Sequence, residues 1–324
     1  MKKIILNASG RLGNQLFQYG FAKKVQNNLG GKILINFNDI EAKDKEFPNQ
    51  NWEDSLKGFR VEYEKISLPK KEFIISFFSV KQKLLILIHF ILVRTIFKAE
   101  NFKTYENLNT LSKKYANFLY RNALYMFPIL SGAYAPSTKD EAFLNGKFEV
   151  AHYFEEVSDE LKAEIVPKAP PLEQNIPFLN IIGSSQSVCI TIRRGDYLSD
   201  KNSTNFFHCD EKYFDKGIKI IKSKVKNPVF FFFSDDLDYA REFAQAYLSK
   251  NDKYYIELPG NPIWEKLRIM SACKHFIISN STFSWWAQFL GKNPDKIVIG
   301  PKTWFPPKSE YNGDALLQDT WIKI

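Results

Sequence analysis

The strongest constraint on the fold is an alternation of short apolar runs with amphipathic helical stretches at both ends of the chain. Near the start, KKIILNA reads as a strand. It is followed by a glycine turn at Gly10 to Gly13, a helix from about Asn14 to Leu29 and a second strand, KILIN. The latter half repeats the theme: the strand SVCITIRR, a helix around YFDKGIKIIKSKV, the strand PVFFFFS, helices DYAREFAQAYL and PIWEKLRIMSAC, the strand HFIIS, the helix FSWWAQFLG and the strand KIVIG. Short strands that read apolar throughout and alternate with helices imply parallel sheets covered on both faces, so the expected class is α/β. Between the two alternating regions, VPKAPPLEQNIP carries four of the 15 prolines; a helix cannot run through it, which makes it the expected linker. The expected organisation is a first domain over 1–166 with a helical insertion at about 57–125, a linker at 167–178 and a second domain over 179–324.

A length of 324 residues suits two domains at roughly 150 residues each. With 44% hydrophobic and 25% charged residues, disordered and collagen-like chains are excluded. Cys189, Cys209 and Cys273 lie far apart beside apolar stretches with no CxxC pair, as expected of reduced, buried thiols in a cytosolic protein. The opening MKKIILNASGRLGNQ lacks a secretory apolar core, so export is not expected.

The net charge of +9 is concentrated: Lys57 to Arg121 holds 13 basic and 5 acidic residues. This segment also contains FIISFFSVKQKLLILIHFILVRTIFK, which at helical spacing gives a broad apolar face edged with lysines. Two readings stand side by side, a buried helical hairpin with a solvated basic edge, and peripheral contact with an anionic membrane surface. Its uncharged run, Leu84 to Val93, is too short to span a bilayer. Nucleic acid is not an expected partner, because the aromatic residues sit within aliphatic runs rather than among arginines.

Residues just past the C-terminal ends of parallel strands line the ligand crevice of such folds. Here they are polar: GRLGNQLFQYG, RRGDYLSD, SDD, NSTFSWW and PKTWF. Gly10 and Gly13 lack dinucleotide-fingerprint spacing and no Walker lysine follows, so they read as a tight strand-to-helix turn that leaves Asn14 and Gln15 near the helix start. Arg193 and Arg194 directly follow an apolar strand, and burial of one of them requires an anion. A diphosphate held by bidentate bonds, with Asp196 orienting the pair, is one reading; taken alone, an internal Arg–Asp salt bridge is the simpler one. Asn280, Ser281 and Thr282 stand between a strand and a helix, where free N–H groups and the helix dipole favour a phosphate, or where they serve as plain caps. Asp235 and Asp236 either accept from a nucleoside or cap the next helix. The four histidines share no metal-ligand spacing, and no metal or other cofactor is expected.

In their order and separation, GRLGNQLFQYGFA, ITIRRGDYL, FFFSDD, MSACKHFIISNSTFSWWAQFLG and IVIGPKTWF resemble the bacterial α-1,2-fucosyltransferases of glycosyltransferase family 11, and FEVAHYFEEVSDELKAEI resembles that family's segment ahead of the linker. The resemblance implies a GT-B-like fold of two Rossmann-like domains facing a crevice. The implied reaction is an inverting, metal-independent transfer of L-fucose from GDP-β-L-fucose to the 2-hydroxyl of a terminal galactose, in an oligosaccharide or a lipid-linked glycan. It implies Arg193, Arg194, Asp235, Asp236, Asn280, Ser281 and Thr282 on the donor, Gly13, Asn14 and Gln15 toward sugar and acceptor, and Asp196 or Asp200 as the base beside catalytic Arg193. The expected setting is cytoplasmic, peripheral at the inner face of the membrane if the basic segment adsorbs there. One departure is Thr191, where the family pattern HxRRGD has a histidine; threonine does not accept a proton near neutral pH. Alternatives are another acceptor linkage, another GDP-sugar, or a non-catalytic binding relative.

Overall fold

The computed structural model describes residues 2–47, 52–129, 140–194, 209–306, 309, 311 and 313–324. The chain divides into two compact units: Met1–Lys57 with Val61–Glu164 and Glu310–Leu316, and Gly58–Arg60 with Ile165–Ser309 and Leu317–Ile324.

The first unit runs β1 (Lys3–Asn7), α1 (Leu12–Leu29), β2 (Lys32–Asn36), α2 (Asn38–Glu46), β3 (Glu64–Ile66), α3 (Lys70–Phe77), α4 (Val80–Leu92), α5 (Thr110–Arg121), β4 (Leu124–Tyr125), β5 (Glu141–Leu144) and α6 (Ser158–Glu164). Its sheet has the order β3-β2-β1-β5-β4 with every pairing parallel. Ile4, Ile5 and Leu6 of β1 are all buried, as a strand covered on both faces requires. The helix α1 is itself a core element. Phe21 stacks on Phe148 at 4.1 Å and Phe17 lies 5.4 Å from Phe154, so the segment that follows β5 seats its aromatic rings on α1. Gly20 makes that seat, since a Cβ there would stand 2.7 Å from the Phe154 ring. The helices expected within 57–125 are α3, α4 and α5.

The second unit runs α7 (Ile176–Ser184), β6 (Gln186–Ile192), α8 (Glu211–Lys224), β7 (Pro228–Ser234), α9 (Leu237–Tyr247), β8 (Lys253–Ile256), α10 (Ile263–Ala272), β9 (His275–Ile277), α11 (Thr282–Leu290), β10 (Val298–Gly300) and β11 (Ile322–Lys323). The sheet order is β11-β10-β9-β6-β7-β8, again parallel throughout. The proline-rich stretch ends in a helix start: Pro177 occupies the first turn of α7, where a missing N–H costs nothing.

This strand order places the site. From β6 the chain winds outward through β7 to β8, and from β9 it winds the other way through β10 to β11. Neighbouring strands β6 and β9 therefore send their following loops to opposite sides, which opens a crevice at their C-terminal ends. In the first unit the chain winds from β1 outward through β2 to β3, then crosses to the far edge at β4 and returns to β5 beside β1.

Candidate functional site

The register that aligns Ile192 of β6 with Ser234 of β7 sets Arg193 and Arg194 beside Asp235 and Asp236 at adjacent strand ends. Arg193 Nη1 lies 3.0 Å from Asp235 Oδ2, and the Arg194 backbone N–H donates to Asp235 Oδ1 at 2.9 Å. Arg194 Nε stands 3.8 Å from Asp236 Oδ2, an ion-pair distance too long for a hydrogen bond. Among the described residues that Nε is buried without a hydrogen-bond partner. Neither arginine is fully buried. Their side chains keep 28% and 26% exposure, because they pair with the acids of the neighbouring strand at the rim of the sheet. Ion pairs this exposed add little stability, so their effect is to aim the guanidinium groups.

Several neighbours that the sequence did not single out complete this rim. The Arg194 guanidinium lies over the Tyr239 ring at 3.6 Å, and Tyr239 Oη donates to Glu211 Oε1 at 3.1 Å. Burial first, then the hydrogen bond to Glu211, push the Tyr239 hydroxyl up to about 12, so it stays a protonated donor. A cavity of about 180 Å³ is lined by Arg194, Asp210, Glu211, Lys212 and Tyr239. Asp236 Oδ1 accepts from the Tyr239 N–H at 3.0 Å, and so caps α9 as the second sequence reading had it. Glu257, 4% exposed, accepts from the Ser234 N–H at 3.0 Å and from Lys266 Nζ at 3.2 Å, which braces the end of β7. Burial raises its pKa, with Lys266 opposing.

On the β9 side, the Ser279 N–H donates to Thr191 Oγ1 at 3.0 Å. Thr191 is buried, and its hydroxyl therefore fastens the loop after β9 to β6. Asn280 is also buried and donates from Nδ2 to the Trp304 carbonyl at 3.1 Å, which fixes the same loop from the other side. Ser281 takes the N-cap position of α11, yet its side chain makes no capping hydrogen bond. The first turn of α11 thus presents N–H groups that this cap does not satisfy, at the positive end of the helix dipole. Trp285 and Trp286 are completely buried, with ring centroids 5.2 Å apart, and both pack against Phe289 of the same helix.

In the first unit, Gly10 adopts φ +76° and lets the loop after β1 turn into α1. The helix begins at Leu12, with Arg11 at the N-cap, so Gly13 lies in its first turn and is buried rather than part of the turn before it. Asn14 Nδ2 donates to Glu149 Oε1 at 2.7 Å. Glu149 is 5% exposed, and burial raises its pKa against the opposing effects of Lys147 and Asn14. Gln15 is fully buried; its Nε2 donates to the Gly10 and Glu53 carbonyls at 3.1 and 2.8 Å, and its Oε1 accepts from the Ser55 N–H at 3.0 Å. It shapes the loop after β1 from within. Asp196 and Asp200 lie outside the described residues. Among the described residues, no group of three His, Cys, Asp or Glu side chains is placed to hold a metal ion.

The profile of the glycosyl transferase family 11 matches residues 3–324. The chain belongs to glycosyltransferase family 11. It is 28% identical over 328 residues to an alpha-1,2-colitosyltransferase of Escherichia coli, covering all of this chain and 99% of that protein. It is also 28% identical to galactoside alpha-(1,2)-fucosyltransferase 2 of Rattus norvegicus, there over 45% of this chain and 42% of that protein. A crystal structure of the NodZ alpha-1,6-fucosyltransferase soaked with GDP-fucose superposes with a TM-score of 0.50 at 10% identity, covering 92% of this chain and 94% of that one. These comparisons establish a glycosyltransferase with a GT-B-like α/β fold.

Proposed function

We propose that this glycosyltransferase moves L-fucose from GDP-β-L-fucose to the 2-hydroxyl of a terminal galactose, with inversion and without a metal ion. The observation that carries the reading is that two arginines held by ion pairs at the end of β6, and a helix start after β9 whose cap side chain makes no capping bond, follow neighbouring strands of one parallel sheet. Departure of GDP leaves charge on the β-phosphate. Arg193 and Arg194 meet that charge together with the N–H groups at Ser281 and Thr282, and Asp235 and Asp236 hold the two guanidinium groups in register. Asn280 supports the loop. Each preorganised donor of this kind is worth about 3 kcal/mol of barrier. Gly13, Asn14 and Gln15 form the sugar and acceptor side, with Gln15 acting as internal support. Asp196 or Asp200 receives the acceptor proton. The three cysteines, buried and free, support a cytoplasmic setting.

The full-length likeness to the colitosyltransferase favours a second reading, in which the transferred sugar is colitose and the phosphate machinery is unchanged. The test is GDP release in EDTA from the fucosyl and the colitosyl nucleotide donors, each with and without lactose or N-acetyllactosamine. Acceptor-dependent release from GDP-fucose that falls about 100-fold in Arg193→Ala, and is not restored by Arg193→Lys, supports the reading. Release from the colitosyl donor alone selects the second, and GDP binding without release from either donor rejects both.

A further inference from the structure

The two sequence readings of the basic segment are separated by the burial pattern of α4. Gln82, Ile86 and His89, spaced by one helical turn, face the core of the first unit. Val80, Leu84, Leu87, Ile88 and Ile91 repeat at the same period on the opposite side, and they are 83%, 57%, 60%, 39% and 57% exposed. A helix of a water-soluble surface places charge on that side. Here the outward stripe is aliphatic for the whole length of the helix. A buried hairpin, the first reading, would cover it.

The charge around the stripe identifies what it meets. From Lys70 to Lys98 the chain has six basic residues, Lys70, Lys71, Lys81, Lys83, Arg94 and Lys98, against the single acid Glu72. Lys81 stands within the first turn of α4, Arg94 follows its end, and both are exposed. An apolar strip with cations at its two ends matches an anionic bilayer surface, where methyl groups enter the acyl boundary and ammonium groups stay among the phosphates. Protein partners of ordinary composition match the strip but not its charge. The ten-residue uncharged run is too short to cross, and no described helix is long and apolar enough to do so.

We infer that α4 is an in-plane docking helix that seats this chain on anionic lipid through Leu84, Leu87, Ile88 and Ile91, with Lys81 and Arg94 at the headgroups. The inference does not depend on which sugar is transferred.

The experiment is co-sedimentation of the whole protein with vesicles of phosphatidylcholine alone and of phosphatidylcholine with phosphatidylglycerol, at low and high salt. Wild type is expected to partition about tenfold or more in favour of the anionic vesicles at low salt and to be released by high salt. Leu84→Glu with Leu87→Glu, both at exposed positions and therefore compatible with folding, abolishes binding to either vesicle. Lys81→Glu with Lys83→Glu lowers the preference for anionic lipid. Circular dichroism confirms that each variant is folded. Equal binding to both vesicle types, no binding at all, or binding unmoved by the double glutamate variant overturns the inference. A wild-type dimer that the glutamates convert to a monomer, without lipid binding, makes the stripe a contact between copies and also overturns it.

Discussion

At the residue scale the most informative position is Thr191, where the family pattern has histidine. Its hydroxyl is not directed at chemistry. It accepts the N–H of Ser279, 88 residues away, and so ties the loop that begins α11 to the strand that carries the arginines. Thr191→Val keeps the volume and removes the acceptor, which leaves a buried N–H unsatisfied at a cost of about 1–3 kcal/mol. The expected result is a lower unfolding temperature together with weaker GDP binding, because the start of α11 loses its anchor. Thr191→Ser, which keeps the oxygen, restores both. Calorimetry of GDP binding beside thermal denaturation checks this; a Thr191→Val protein with unchanged GDP affinity would separate Thr191 from the phosphate site. The same scale shows why some groups were not legible in advance. Glu149 reaches Asn14 across 135 residues, and the Arg193–Asp235 pair depends on a strand register that no local pattern encodes.

At the element scale, α4 shows how one helix serves two faces. Ser79 and Gln82 form a reciprocal capping box at its start, and His89 near its end hydrogen-bonds through Nδ1 with Tyr115 Oη at 3.0 Å. Burial lowers the His89 pKa from 6.5 to about 4, with a backbone contact at Met126 opposing. The folded chain therefore resists a proton that the unfolded chain accepts. Stability from this group is fully present above pH 6.5 and is lost as the pH falls through about 4, by a total on the order of 3 kcal/mol. Urea midpoints measured from neutral pH down to that range should fall steeply for wild type and less steeply for His89→Gln, which does not titrate. Identical slopes would assign the acid sensitivity elsewhere. Elements were legible in the sequence where burial was two-sided. β1, β2, β6 and β7 are continuous apolar runs because helices cover both faces, whereas the edge strands β3 and β8 contain Glu64, Lys65 and Lys253 and carry no such run. The stripe on α4 was visible as periodicity, but its direction was not, since a period is the same whether the face points in or out.

At the scale of the whole molecule, the two parallel sheets have separate cores, and the proposed placement of the diphosphate on one of them is testable without turnover. The charged and polar groups suited to a diphosphate belong to the second unit: Arg193, Arg194 and the start of α11 all follow strands of its sheet. A ligand that binds only the folded form of that unit stabilises it by RT ln(1 + [L]/Kd), about 2.7 kcal/mol at a hundredfold excess over Kd. Hydrogen exchange with saturating GDP should therefore slow the amides of β6, β9 and α11 by about 100-fold where exchange requires the unit to open, while β1, β2 and β5 change far less. Arg193→Ala should remove most of that protection without altering exchange in the absence of GDP, because its rim ion pair adds little to stability. Protection shared equally by both sheets, or confined to the first, would move the diphosphate away from the β6/β9 switch point and leave the arginines as structural pairs.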